Sequence, residues 1–254
     1  SAASDVYKRQ KNTVFLLFFL WKYEENIYLQ QMITPLAYAC PPLDNGHAQP
    51  KAFFILYIMK NRPNTSYTET PIRVAILIDG GYFIKRYNAM YNKSGNKTAS
   101  TIANDLYTIS HSHVGKNNYL YRIFYYDCVP FSKKVHNPIS NKCIDFSKTE
   151  EALYRNELIN ELKKKRKLAL RLGHIKESKR WMFYDNAMKK LLKKEISLDD
   201  IQDTDVYYEL RQKGIDMKIG VDIASLALKG FVDKIVLISG DSDFVPAAKL
   251  ARRE

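Results

Sequence analysis

The chain is poor in cysteine and in long hydrophobic runs, and each shortage excludes a class of protein. Three cysteines among 254 residues are too few and too scattered for a disulfide framework, and none stands in a CxxC pair that could bind zinc. An apolar run at 14–21 has eight residues, whereas a membrane span needs ~20. We therefore expect no membrane partner and a reducing, cytoplasmic setting.

Two motifs of common α/β enzymes are also missing. The first strand candidate is followed by Gly80, Gly81 and Tyr82, which do not supply the GxGxxG loop of dinucleotide-binding enzymes. We therefore expect no nucleotide cofactor. A phosphohydrolase of the haloacid dehalogenase type needs a second acid two residues after its first aspartate, and Gly81 occupies that position. Both enzyme classes are excluded.

Positive charge is what the chain has in excess. Forty Lys and Arg against 27 Asp and Glu give a formal net charge of +13. Setting residues 1–58 aside removes five basic and four acidic residues and leaves +12, so the charge belongs to the rest of the chain. An excess of this size favours a polyanionic partner.

The first 58 residues have a different character from the remainder. The apolar run at 14–21 is followed by charged residues instead of a signal-peptide cleavage site. Met59 precedes a polar segment and is a candidate start of the native protein. We expect residues 1–58 to be a leader that contributes nothing to the domain, and residues 59–254 to form the domain.

Three apolar runs rich in β-branched and aromatic residues, at 73–78, 119–126 and 234–238, predict buried strands. Helical patterns lie between them, and this order predicts an α/β fold with a mainly parallel sheet. Each predicted strand is followed by aspartate, namely by Asp79, by Asp127, and by Asp241 with Asp243. Because ligands bind beyond the carboxyl ends of parallel strands, we expect the functional site at this edge.

The stretch 145–196 is predicted to be a basic helical insertion in the domain. Ser147 with Glu150 forms a capping-box pattern, and Gly173 supplies a stop signal. These signals predict one long helix over 149–172.

A basic run at 163–167 lies within that predicted helix, and a second basic cluster follows it at Lys189, Lys190, Lys193 and Lys194. Residues three and four apart share a helix face, so a single stripe is expected to contact a nucleic-acid backbone. The stripe consists of Lys163, Lys167 and Arg171. A solvated helix face is the alternative interpretation of such a run.

Taken singly, each aspartate is more often a turn or cap residue than a catalytic one. This interpretation is strongest for Asp127, shortly before Pro130, and it also applies to Asp216 in a predicted loop and to Asp222 early in a predicted helix. Several carboxylates at one sheet edge, however, repel one another unless a cation binds there. Oxygen ligands without Cys or His select Mg²⁺ or Mn²⁺.

Five short blocks occur in order between about Arg73 and the end of the chain. They are Ile78-Asp79-Gly80-Gly81-Tyr82-Phe83, Tyr125-Tyr126-Asp127, Lys213-Gly214-Ile215-Asp216, Val221-Asp222-Ile223-Ala224 and Ile238-Ser239-Gly240-Asp241-Ser242-Asp243-Phe244. Together they resemble the NYN domain family, in its LabA-like branch, within the PIN-like nuclease superfamily. The resemblance implies a PIN-like Rossmannoid sandwich, a site for Mg²⁺ or Mn²⁺, and RNA as the partner. It puts the catalytic and metal-binding positions at Asp79, Asp222, Asp241 and Asp243, with Asp216 as a further acidic candidate.

The chain departs from the family pattern in two places. Gly81 and Tyr82 stand where many NYN proteins have an asparagine, and the chain ends within the helix expected after the third strand. The resemblance therefore implies a C-terminally truncated domain. The predicted function is that of a metal-dependent ribonuclease. The alternative is a non-catalytic RNA-binding or regulatory module, because a fold does not fix a function.

Overall fold

A six-stranded sheet forms the centre of the part of the chain that the computed structural model describes, residues 55–59, 71–92 and 94–253. Its strands are β1 (Ile55–Met59), β2 (Arg73–Asp79), β3 (Tyr119–Cys128), β6 (Leu168–Phe183), β7 (Val206–Lys213) and β8 (Lys234–Ile238). The order across the sheet is β1-β8-β2-β3-β6-β7. The four inner strands are parallel, whereas β1 and β7 are antiparallel to their neighbours. The predicted α/β fold with a mainly parallel sheet is confirmed.

Six α-helices accompany the sheet within the residues that the structure describes. They are α1 (Gly80–Tyr91), α2 (Ala99–Ser112), α3 (Glu150–Lys163), α4 (Asp185–Leu192), α5 (Ile215–Leu228) and α6 (Val245–Arg253). A separate two-stranded hairpin is formed by β4 (Lys134–His136) and β5 (Cys143–Asp145). Within the described residues, no helix combines the length and the apolar character needed to cross a bilayer.

The central strand β2 is buried on both faces, which makes the fold a sandwich. Val74, Ile76 and Ile78 pack in a core with residues of α1, α2 and α3. Ala75 and Leu77 alternate with them and pack in a second core with residues of α5 and α6. All five side chains are fully buried, and each larger one contributes about 1.5–3 kcal/mol to folding. Strict burial of both faces explains why this strand is a continuous apolar run.

The expectation that residues 1–58 contribute nothing to the domain is wrong for residues 55–58. Ile55 to Met59 form β1, which pairs antiparallel with β8 from Ile55 opposite Ile238 to Met59 opposite Lys234. Pairing covers an edge of β8 that would otherwise be an open template for aggregation. Residues 1–54 lie outside the described part of the chain.

The predicted helix over 149–172 is also wrong, because it ends nine residues early at Lys163. Thr149, not Ser147, caps α3, and its hydroxyl accepts a hydrogen bond from the Ala152 amide. Lys167 adopts a left-handed φ of 60°, which ends the connecting turn. From Leu168 the chain is extended and pairs with β3.

The segment that follows α3 is a strand because its side chains alternate between the two cores. Leu168 and Leu170 pack against one core, and Ala169 packs against the other. Gly173 is not a helix stop. A Cβ atom there would come within 2.6 Å of the Lys213 carbonyl oxygen, so glycine allows β6 and β7 to lie close together. The insertion 145–196 is therefore a mixture of helix and strand, and Lys163, Lys167 and Arg171 do not share a helix face.

Candidate active site

Asp79 stands at the carboxyl end of β2 and is the N-cap of α1. Its carboxylate accepts hydrogen bonds from the Tyr82 amide at 3.1 Å and from the Ser239 hydroxyl at 3.2 Å. Burial raises the pKa of Asp79, and the negative charge of Asp216 raises it further. The two hydrogen bonds oppose this shift and fix the orientation of the carboxylate.

Asp241 and Asp243 follow β8, which lies beside β2 in parallel register. The Asp241 carboxylate accepts a hydrogen bond from the Asp243 amide at 2.9 Å and so caps a short 3-10 turn. The Asp241 amide donates to the Ser239 hydroxyl at 3.3 Å, the same hydroxyl that donates to Asp79. Gly240 has no room for a Cβ atom, which would clash with the Tyr82 ring. The loop therefore packs tightly against the start of α1.

Asp216 joins this group from another segment. It lies in the first turn of α5, two residues after Gly214 with its left-handed φ of 83°, and not in a loop as expected. Burial raises the pKa of Asp216, and the charges of Asp241 and Asp243 raise it further. Because the charge of Asp216 raises the pKa of Asp79, and the charges of Asp241 and Asp243 raise the pKa of Asp216, we refer to Asp79, Asp216, Asp241 and Asp243 as the acidic cluster.

Asp222 is engaged elsewhere. The Tyr126 hydroxyl donates to its Oδ2 at 2.8 Å, and the Arg171 Nε lies 3.1 Å from the same oxygen. Residues six apart on a helix point about 120° away from each other, so Asp216 and Asp222 face different neighbours. The structure brings the further candidate Asp216 to Asp241 and Asp243, and it engages the predicted ligand Asp222 with Arg171 and Tyr126.

The acidic cluster has the donor chemistry of a site for a hard cation. It offers four carboxylates and no sulfur or imidazole, the set that suits Mg²⁺ or Mn²⁺. Among the residues that the structure describes, no three His, Cys, Asp or Glu side chains are arranged so that they could hold one ion. Rotation of side chains would be required, and Asp216, Asp241 and Asp243 are exposed enough to rotate.

A half-exposed arginine lies on the same row of the sheet as Asp79. Tyr126 is the register partner of Asp79 on one side and of Arg171 on the other. Residues in register share a face, so two strand spacings put the Cα atoms of Asp79 and Arg171 roughly 10 Å apart. The guanidinium lies over the Phe124 ring, 5.2 Å from its centre, and its side chain is 46% exposed.

The predicted basic stripe is dispersed. Lys167 donates to the Leu120 carbonyl at 2.7 Å and lies 3.7 Å from the centre of the Tyr119 ring, at the amino end of β3. Lys163 ends α3 and donates to Asn160 at 3.2 Å. Of the three residues, Arg171 is the one in register with the carboxyl end of β3, next to the acidic cluster.

Asp127 has a role that the sequence did not reveal. It is 3% exposed, and its Oδ2 lies 2.7 Å from the Arg155 guanidinium on α3. The Tyr125 hydroxyl donates to the same oxygen at 3.2 Å, and the Cys128 amide donates to the other oxygen at 2.8 Å. Asp127 is thus a buried ion-pair residue and not a turn residue. No spacing rule links residues 127 and 155, so Arg155 was missed.

Comparison with known proteins gives one family. The family model of the NYN domain matches residues 144–254, a range that includes Asp216, Asp222, Asp241 and Asp243 and leaves Asp79 outside. Searches of curated proteins and of solved structures gave no match. NYN domains fall in the PIN-like superfamily, whose members are generally metal-dependent ribonucleases. Residues 144–254, which build the α3 to α6 part of this sandwich, are accordingly identified as an NYN domain match.

Proposed function

We propose that the chain is a metal-dependent ribonuclease of the LabA-like branch, which hydrolyses RNA phosphodiester bonds at the acidic cluster. The observation that carries the proposal is the meeting of three acidic segments: the Ser239 hydroxyl links Asp79 at the end of β2 with Asp241 in the loop after β8, and the charges of Asp241 and Asp243 raise the pKa of Asp216 at the start of α5. Neighbouring carboxylates that raise one another's pKa are typical of functional sites. The NYN match over 144–254 supports the same activity.

Asp79, Asp216, Asp241 and Asp243 would hold the cation. Bound Mg²⁺ or Mn²⁺ would lower the pKa of an attacking water and neutralise charge on the phosphodiester. Hydrogen bonds from the chain itself orient two of these carboxylates. The Tyr82 amide and the Ser239 hydroxyl hold Asp79, and the Asp243 amide holds Asp241.

Arg171 is the residue that we assign to the RNA backbone. Asp222 and the Phe124 ring hold its guanidinium, while about half of its side chain stays open to solvent. Its Nε and Nη2 face the two oxygens of Asp222 at 3.1 and 3.4 Å, so the Nη1 side of the guanidinium is the part that would donate to a phosphate. Asp222 is then a positioning residue for Arg171 and not a metal ligand. The expected cytoplasmic setting, where exposed Cys143 would stay reduced, agrees with an RNA substrate.

One observation favours the alternative of an RNA-binding module without turnover. In the described part of the chain, the carboxylates do not converge into a ready-made ion site. If they never converge, the positive charge and Arg171 would still bind RNA while no bond is cleaved.

Cleavage of single-stranded RNA by the purified full chain separates these functions. We expect cleavage with Mn²⁺ or Mg²⁺ and none with a chelator. Asp241→Asn keeps the cap on the Asp243 amide but removes a ligand charge, so the rate should fall roughly 100-fold or more. Asp199→Asn, the same change at an exposed acid in a short 3-10 turn, is the matched control. Parental cleavage by Asp241→Asn would exclude the acidic cluster, and RNA binding without any metal-dependent cleavage would favour the alternative.

A further inference from the structure

A cavity of about 260 Å³ lies at the carboxyl end of β3, on the α3 side of the sheet. Its apolar wall includes Phe131 and Phe146, whose rings lie 5.3 Å apart in an edge-to-face arrangement. The buried Asp127–Arg155 ion pair lines the cavity too, and Gln212 contributes from β7. Nothing in the hydrolysis assigned to the acidic cluster uses this space.

The charges of the cavity exclude an anion as its occupant. Asp127 and Arg155 neutralise each other at 2.7 Å, and Glu151, 4.0 Å from the Arg155 guanidinium, leaves the lining with one net negative charge. A phosphate group would be repelled. The Asp127 oxygens already accept three hydrogen bonds, so the polar groups left for a ligand are mainly donors from Arg155 and the Gln212 amide.

The size and walls of the cavity suit one flat ring system. Pockets for drug-sized ligands are larger, about 300–1,000 Å³. Aromatic side chains bind every nucleobase through its π face, and arginine and glutamine read the acceptor atoms on base edges. A neutral planar ring with acceptors on its edge is the chemistry that this lining fits.

The location connects the cavity with the acidic cluster. Asp127 follows Tyr126, the register partner of Asp79, so the cavity lies at the same carboxyl edge of the sheet as Asp79 but on the opposite face from the row that carries Asp79. We propose that the cavity binds an unpaired nucleobase of the RNA strand whose backbone crosses the acidic cluster. This rests on the proposed function for its substrate class, and it adds a preference for single-stranded RNA, because a base inside a duplex cannot enter.

The proposal is tested by binding with the full chain in chelator, where no cleavage occurs. The probes are a short single-stranded RNA and an oligonucleotide of the same length with abasic sites. Phe131→Leu keeps apolar volume but removes the ring, and it should weaken binding of the RNA roughly tenfold, within the range for one stacking aromatic. Binding of the abasic probe should not change.

Tyr184→Leu is the matched control, because Tyr184 is an exposed aromatic residue that contacts Tyr207 outside the cavity. It should bind both probes like the parent chain. Gln212→Ala changes an exposed position, so it tests the cavity even if the Phe131 variant does not fold. It should weaken binding of the RNA and leave binding of the abasic probe unchanged. Equal affinity of parent and both cavity variants for the RNA, or an equal loss for the abasic probe, would overturn the nucleobase site. If only the proposed ribonuclease activity is wrong, the RNA will still bind more tightly than the abasic probe, but it will not be cleaved in Mn²⁺.

Discussion

Asp216 and Asp222 lie on one helix, yet they have different neighbours. Asp216 feels the charges of Asp241 and Asp243, whereas Asp222 bonds to Tyr126 and Arg171. The sequence identified both as acidic candidates, but it could not rank them. The decision depends on how far α5 is rotated about its axis, and that rotation is set by the burial of Ile215, Ile219 and Ile223.

Replacement of Arg171 tests the phosphate contact at the scale of one residue. Arg171→Ala should weaken binding of single-stranded RNA and lower the slope of log affinity against log salt by roughly 0.7, the value for one lost phosphate contact. Because the contact lies outside the acidic cluster, KM should rise more than kcat falls. Filter binding across a salt series and steady-state cleavage measure the two effects.

Lys163→Ala is the control for this prediction, since Lys163 was part of the same predicted stripe but ends α3. Its removal should leave both affinity and salt slope unchanged. A change of equal size in the two variants would mean that the predicted stripe binds RNA as a unit, against the dispersed arrangement seen here.

The strands were predicted correctly where burial on both faces of the sheet alone determines the sequence pattern. Strands β2, β3 and β8 are apolar runs that are buried on both faces, and all three lie where the sequence indicated. The α3–β6 region was misread because LALRL fits both a helix and a strand, and only the neighbouring strand β3 selects the extended form. Strand β1 was missed because an edge strand depends on the open edge of β8, which no local pattern reveals.

The contact of β1 with the end of α2 predicts a pH-dependent stability. The Tyr57 hydroxyl lies 2.9 Å from Nδ1 of His113, the C-cap of α2. Burial, with a smaller contribution from the charge of Lys234, lowers the pKa of His113 to about 4. An unfolded histidine titrates near 6.5, so the unfolded chain binds more protons between these values. Stability should therefore fall as the pH is lowered from about 6.5 to about 4, by on the order of 3 kcal/mol.

Urea denaturation of the parent chain and of His113→Phe across this pH range isolates the effect. Phenylalanine keeps a ring beside Tyr57 but cannot be protonated, so the variant should lose less free energy of unfolding on acidification than the parent. Carboxylates titrate in both proteins and cancel in the comparison. Parallel pH profiles would contradict this prediction, because they would mean that His113 has the same pKa in the folded and the unfolded chain.

At the scale of the whole molecule, a carboxylate cluster lies in a chain of formal net charge +13. The positive charge attracts RNA over a distance of about 10 Å, the screening length at ordinary salt. A cation bound at the acidic cluster would then neutralise the local negative charge beside the phosphodiester that is cleaved. The fold class, the net positive charge and the presence of carboxylates at one sheet edge were predictable from the sequence. The membership of the acidic cluster was not, because it combines the ends of two strands with the start of a distant helix.

Mn²⁺ affinity, measured by electron paramagnetic resonance for the parent chain, Asp216→Asn and Asp222→Asn, tests the assignment of the metal ligands most directly. Both variants remove one carboxylate charge from the same helix, so they are matched in chemistry and in context. If the acidic cluster holds the ion, Asp216→Asn weakens Mn²⁺ binding at least roughly tenfold, while Asp222→Asn binds Mn²⁺ like the parent. The opposite order, with affinity lost in Asp222→Asn and kept in Asp216→Asn, would contradict the account.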